Sequence, residues 1–169
     1  MPEHLVGEII DGELSAHPRP APRHAEAGSA LVVELKGPFQ WGRGGPGGWW
    51  ILPEPELHLG ADVVVPDLAG WRKEALPRLP EIAYFTLAPA WVCEVLSAST
   101  EALDRGEKMA IFARHGVRDA WLIDPAERTL EAFANDGGAF RPAGTSRGSA
   151  RVRVPPFAER ELDLALLWA

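Results

Sequence analysis

The stretch that most constrains this chain runs from residue 91 to 124, WVCEVLSASTEALDRGEKMAIFARHGVRDAWLID. It reads as strand, short turn, amphipathic helix, glycine stop and second strand. Trp91 to Leu96 is apolar except for Glu94. A carboxylate in an apolar strand is costly to bury unless a cation, a hydrogen-bond donor or a shifted pKa compensates it. The helix, expected over residues 100 to 115, carries Asp104 and Lys108 four residues apart and so on one face. Gly116 supplies the left-handed stop after His115. The second strand, Ala120 to Ile123, ends at the Asp124-Pro125 turn. Strand, crossover helix and strand make a parallel βαβ unit, right-handed by strong preference. Ligands on such sheets gather where strands end and helices begin. Glu94 sits close to that point.

The rest of the chain arranges itself around this unit as one α/β domain spanning residues 1–169, a length that buries a real core. Apolar residues flanking Asp11-Gly12 predict a hairpin over 7 to 14. The proline-rich run from His17 to His24 predicts an extended linker. Helical spacing follows from 24 to about 36, with Gly37-Pro38 as the stop and Gly42 to Gly48 as a flexible, exposed loop. A second hairpin pairs Trp49–Leu59 with Asp62–Leu68 across Gly60-Ala61. With a two-residue turn, Glu54 lies opposite Asp67 and Glu56 opposite Val65, and alternation puts Glu54, Glu56 and Asp67 on one face. A three-residue turn reverses that relation. Residues 69 to 89 read as an irregular surface excursion, 129 to 134 as another strand, and 139 to 154 as a segment with little apolar periodicity. The tail reads as a strand and a short helix packing Leu164, Leu167 and Trp168.

A net charge of −7 argues against coating nucleic acid by bulk electrostatics, though not against local basic clusters on a duplex. The lone cysteine, Cys93, has no disulfide partner and reads as core packing in a reducing compartment. No run approaches the roughly 20 apolar residues of a membrane span, and the N-terminus lacks signal-peptide regions. A cytoplasmic location is the expectation.

Two carboxylates at adjacent strand ends, Asp67 after Pro66 and Glu94, join a helix lysine, Lys108, in a pattern that suits a hard cation. Mg²⁺ takes oxygen ligands and keeps several waters, so one or two carboxylates suffice. A cation held that way activates water and polarises a phosphate, while a lysine beside it steadies charge.

The segments EIIDGEL, GGWWILPEPELHLG, VPDLAGWRKE, WVCEVLSAST, DRGEK, ARHGVRDAWLIDP and ELDLALLW, in this order over nearly the whole chain, resemble the Uma-two family. These bacterial domains are restriction-endonuclease-like members of the PD-(D/E)xK nuclease superfamily. The resemblance implies a core of helix, three-stranded antiparallel meander, crossover helix and parallel strand, with extra C-terminal strands. It implies a Mg²⁺-dependent (or Mn²⁺-dependent) endonuclease acting on double-stranded DNA, arranged as a homodimer. In the superfamily the PD aspartate and the acid of the tripeptide bind metal, which carries over to Asp67 and Glu94. The tripeptide here is Glu94-Val95-Leu96, so leucine stands in the lysine position and Lys108 of DRGEK becomes the candidate. Lys108 lies about 12 Å of helical rise beyond Thr100, so its stem has to lean back toward the helix start. Glu56 is an expected further metal ligand; Glu8 and His24 are weaker candidates, read first as structural. Arg72, Lys73 and Arg105 are the expected nucleic-acid contacts, and Trp71 a possible stacking residue. The alternative is a nuclease-like domain that binds nucleic acid or a partner protein without cutting.

Overall fold

The Asp11-Gly12 pair turns the chain first. Both residues have positive φ, 50° and 82°, which a two-residue hairpin loop of this hand requires. In the computed structural model, which describes residues 2–169, β1 (Leu5–Ile10) and β2 (Glu13–Pro18) accordingly pair antiparallel with Ile10 opposite Glu13. Strand β2 uses up the start of the expected linker, and α1 (Pro22–Leu35) begins two residues before His24 with a proline in its first turn. A proline there has no intrahelical bond to lose. The extended linker therefore shrinks to residues 19–21.

Helix α1 buries Ala27, Leu31 and Leu35 against the sheet. Gly37-Pro38 does not end it. The helix widens into a π-turn, Lys36–Gln40, closed by Trp41 N–H donating to Lys36 O at 3.0 Å. The glycine run beyond is tied down rather than free. Gly47 N–H donates to Pro38 O at 2.9 Å, and a Cβ on Gly45 would stand 2.5 Å from Pro38 Cβ.

The second hairpin keeps one register throughout, yet serves two sheets. Leu59 pairs with Asp62 and Leu57 with Val64 in β4 (Leu57–Leu59) and β5 (Asp62–Val64). Pro53 pairs with Leu68 and Trp49 with Arg72 in β3 (Trp49–Pro53) and β6 (Leu68–Arg72). Between them the chain kinks at Glu54, whose φ is 47°. Strands β4 and β5 join the first hairpin in a four-stranded sheet, β2-β1-β5-β4. Strands β3 and β6 enter a six-stranded sheet, β10-β9-β8-β7-β6-β3. Because β6 claims residues 68 to 72, the irregular excursion starts only at Lys73.

In the large sheet β7 (Trp91–Val95) runs antiparallel to β6 and parallel to β8 (Asp119–Asp124). The crossover comprises α2 (Glu101–Leu103), a π-turn (Asp104–Lys108) and α3 (Met109–Arg114). Strand β9 (Thr129–Asp136) is longer than expected, and β10 (Ala139–Arg147) replaces the expected segment of little periodicity. Strand β10 is an edge strand with no buried residue, so no alternation marks it in the sequence. Short strands β11 (Arg151–Val152) and β12 (Leu162–Asp163) and a 3-10 turn, Leu164–Leu167, close the chain and bury Leu164 and Leu167.

Alternation along β7 divides the core. Trp91, Cys93 and Val95 pack with α1, Trp121 and Phe157, whereas Val92 and Leu96 pack with Met109, Ile111 and Phe112 of the crossover. Cys93 is buried, outside any disulfide, with its thiol donating to Glu94 O at 4.0 Å, and burial raises its pKa. The restriction-endonuclease-like order of helix, meander, crossover helix and parallel strand is what the chain adopts. Among the described residues no helix is long and apolar enough to cross a membrane.

Candidate active site

Glu94 leaves β7 on the crossover side, between Val92 and Leu96, and is 2 % exposed. Asp67 stands at the point where the second hairpin re-enters the large sheet. The two residues are cross-tied: Val95 N–H donates to Asp67 Oδ2 at 2.7 Å, and Asp67 N–H donates to Glu94 Oε2 at 3.3 Å. Pro66 before Asp67 stiffens this approach. Both residues line one cavity.

The π-turn brings the lysine in. Over DRGEK the helix carries an extra residue, a device that recurs at functional sites because it re-aims side chains. It buries Asp104 and Lys108 together. The Lys108 ammonium lies 2.7 Å from Glu94 Oε1, 2.8 Å from Glu8 Oε1 and 3.7 Å from Asp104 Oδ1, and donates to Val65 O at 3.2 Å. Among the described residues the ammonium is the one cation or donor against the buried Glu94 Oε1. Glu8 was reachable in principle, since alternation along β1 puts it on the face of buried Ile10. Its Oε1 also accepts Val65 N–H at 2.8 Å.

Three buried carboxylates face one ammonium, and their protonation reflects it. Burial pushes Glu94 well above the usual carboxylate range; Lys108 opposes the shift, and Asp104 and Asp67 add to it. Burial raises Asp104 for the same reason, against the pull of Lys108 and Thr100. Burial alone would lower Lys108, but Glu94, Glu8 and Asp104 outweigh it and hold its pKa above the ordinary value. Lys108 is thus a permanent cation. His24, from the first turn of α1, places Nε2 3.3 Å from Asp67 Oδ2. Burial disfavours its charged form, yet Asp67 more than compensates and raises its pKa.

These groups line one cavity of about 230 Å³, joined by His17 and Arg19 of the supposed linker and by Ser97, Ser99 and Thr100 from the turn after β7. Sequence reasoning brought Asp67, Glu94 and Lys108 here, and undervalued Glu8 and His24. Glu56 is not among the lining residues. The kink at Glu54 turns Glu56 outward, half-exposed, to pair with His58 at 2.7 Å, and Glu54 lines the cavity instead. Arg72, Lys73 and Arg105 do not line the cavity either. Arg105 is held by Glu101 at 2.9 Å and Glu131 at 2.7 Å on the outer face of the crossover. Trp71 is no stacking platform: it is 1 % exposed, stacked on Phe85, with its indole N–H on Leu87 O at 2.9 Å.

With this geometry in hand, comparison places the chain. The model of the Uma2 family, described as "Putative restriction endonuclease", matches residues 5–166. The chain belongs to the Uma2 family. A crystal structure of "a putative nuclease belonging to DUF820" from Anabaena variabilis ATCC 29413 superposes with a TM-score of 0.79 at 24% identity. The match covers 96% of this chain and 89% of that one, and it establishes a shared fold. No curated protein matches.

A Uma2 site of this composition suits a hard cation. Its donors are carboxylate oxygens, of which Glu94 Oε1 already faces the Lys108 ammonium at 2.7 Å. Among the described residues no three His, Cys, Asp or Glu side chains converge at metal-ligand spacing. A cation held by Asp67 and Glu94 would draw its remaining ligands from water, as Mg²⁺ commonly does.

Proposed function

We propose that the chain is a Mg²⁺-dependent endonuclease, with Mn²⁺ as a substitute, that hydrolyses phosphodiester bonds of double-stranded DNA. The observation that carries this reading is the convergence of Asp67, Glu94 and Lys108, from three separate elements, on one solvent-reached cavity. When bound at Asp67 and Glu94, the metal would polarise the scissile phosphate and acidify a water. The chain's own residues do the rest. Val95 N–H fixes the Asp67 carboxylate, and the Asp67 N–H fixes Glu94. Lys108 stays charged, so it acts as a donor that steadies developing negative charge on phosphate oxygen rather than as a base. Glu8 and Asp104 hold that ammonium against the cavity wall. Cutting both strands of a duplex takes two such sites, which a homodimer supplies.

A second reading, a nuclease-like domain that binds without cutting, draws on the same cluster: Lys108 is already engaged by three carboxylates. Supercoiled plasmid separates the two. The parent is expected to nick it with Mg²⁺ or Mn²⁺, and Glu94→Gln is not. Equal nicking by both proteins would mean a contaminant, and no nicking by a parent that binds the metal in calorimetry would leave the second reading standing.

A further inference from the structure

In a chain of net charge −7, four cations stand apart at the far end of the β3–β6 hairpin. Lys36, Arg43, Arg72 and Lys73 share with Arg19, Arg23, Arg78, Arg118, Arg128, Arg147, Arg153 and Arg160 the lack of an ion pair among the described residues; the ring beneath each sets these four apart. Lys36 and Arg43 stand 5.9 and 5.3 Å from the Trp41 ring, Arg72 4.5 Å from Trp49 and Lys73 4.6 Å from Trp50. The described residues show no cation over an aromatic ring outside this patch. Its scaffold is firm: Lys73 Nζ donates to Gln40 O and Lys73 N–H to Gly48 O, both at 2.9 Å. Trp41, on the π-turn's end, is 57% exposed. That is unusual for a side chain whose burial stabilises so much.

A groove of about 540 Å³ leads from the cavity toward the patch without reaching it. It starts at His24 and Asp67 and follows α1 past Gly28 and Val32 to Val33, one turn short of Lys36. Asp67 to Arg72 is five residues of strand, about 17 Å, and His24 to Lys36 is about 18 Å of helix. An exposed indole flanked by two cations, with two more over the neighbouring indoles, is an arrangement suited to gripping a single strand, bases stacking on the ring and phosphates meeting the cations. Continuous duplex offers no unstacked base to it.

We propose that Trp41, with Lys36, Arg43 and the Arg72-Lys73 pair, is a second nucleic-acid contact that holds a single-stranded stretch leaving the cavity along α1. It deepens the nuclease reading by adding an unpaired segment beside the cleaved bond as part of the preferred substrate. It rests on that reading only for the direction in which the strand runs.

Fluorescence anisotropy with labelled oligothymidylate and with the matching duplex, in EDTA and on the full chain, tests it without any cleavage. The single strand is expected to bind more tightly than the duplex. Trp41→Ala and Arg43→Glu should each weaken it about tenfold. Arg43→Glu should also flatten the salt dependence by about 0.7 in log–log slope. Arg141→Ala, on the opposite edge of the sheet, should change neither. Thermal unfolding checks that Trp41→Ala is folded. Unmoved affinity in the two patch variants, or tighter binding of the duplex, overturns the proposal. A parent that nicks plasmid while the patch variants bind normally sinks the patch alone; one that binds through the patch yet never nicks sinks the hydrolase reading alone.

Discussion

At the scale of single residues the cavity is a charge problem solved by one lysine. Glu8, Glu94 and Asp104 are all buried, and only Lys108 stands among them. Removing one partner of a buried ionic cluster commonly costs about 3–5 kcal/mol. Lys108→Met is therefore expected to lose about that much at neutral pH, read by urea denaturation. The loss should shrink as pH falls toward 4. Glu94 and Asp104 have raised pKa values in the fold, so the folded state takes up protons before the unfolded chain does, and stability rises as pH drops toward their ordinary 4.5 and 3.8. A pH-independent loss would show that Lys108 acts through packing. Glu94→Gln goes the other way: one negative charge fewer faces the ammonium, and stability at neutral pH should hold or rise while metal binding is lost. His24 has the opposite sign. Its contribution is fully present below the ordinary 6.5 and fades as pH rises through its raised folded value. His24→Ala should remove that slope from a stability profile taken between about pH 6 and 9. Glu94 was legible because an acid interrupts an apolar strand. That Glu8 and Asp104 meet at Lys108 was not, since it depends on the first hairpin, from another sheet, closing over the crossover.

At the scale of elements, the site hangs on two departures from regularity. The kink at Glu54 moves one hairpin between two sheets, and the π-turn at Asp104–Lys108 brings the lysine inward. The facing of Glu54 and Asp67 was expected only on condition of a two-residue turn at Gly60-Ala61; the structure has that turn, and Glu54 N–H donates to Asp67 O at 2.9 Å. That Glu56 turns away did not follow from the pattern, because alternation holds only while a strand stays straight. Likewise α1 runs past Gly37-Pro38 because a π-turn absorbs the proline, a choice made by tertiary packing of Phe39. Within the crossover π-turn, Gly106 faces open space and has no positive φ. Gly106→Ala should then gain about 0.5–1 kcal/mol from reduced unfolded-state freedom. Thermal unfolding and plasmid nicking together check this. A gain in stability with lost nicking would mean that the extra methyl straightens the turn and withdraws Lys108.

At the scale of the molecule, the hairpin β3–β6 links an acidic end to a basic one, and the charges of the acidic end bear on the stability of the whole. Asp67, Glu94, Glu8 and Asp104 face Lys108 and His24 in one cavity, so under the proposed function a divalent cation held by the first two would relieve repulsion that folding otherwise has to bear. Anything that binds the folded chain alone stabilises it by RT ln(1 + [L]/Kd), about 2.7 kcal/mol at a hundredfold excess over Kd. For a domain of this size that corresponds to a rise of several degrees in Tm. Mg²⁺ and Mn²⁺ should each raise the Tm of the parent, and neither should raise that of Asp67→Asn. Asp67→Asn itself is expected to be folded, since Asn can still accept Val95 N–H where Asp67 Oδ2 does now. Ca²⁺ serves as the control for valence. It takes more ligands than two carboxylates and a few waters readily offer, so its shift should be smaller at equal concentration. Equal shifts for all three ions, or a shift that survives in Asp67→Asn, would place the ion elsewhere on a surface of net charge −7 and remove the metal from the reading of this cavity.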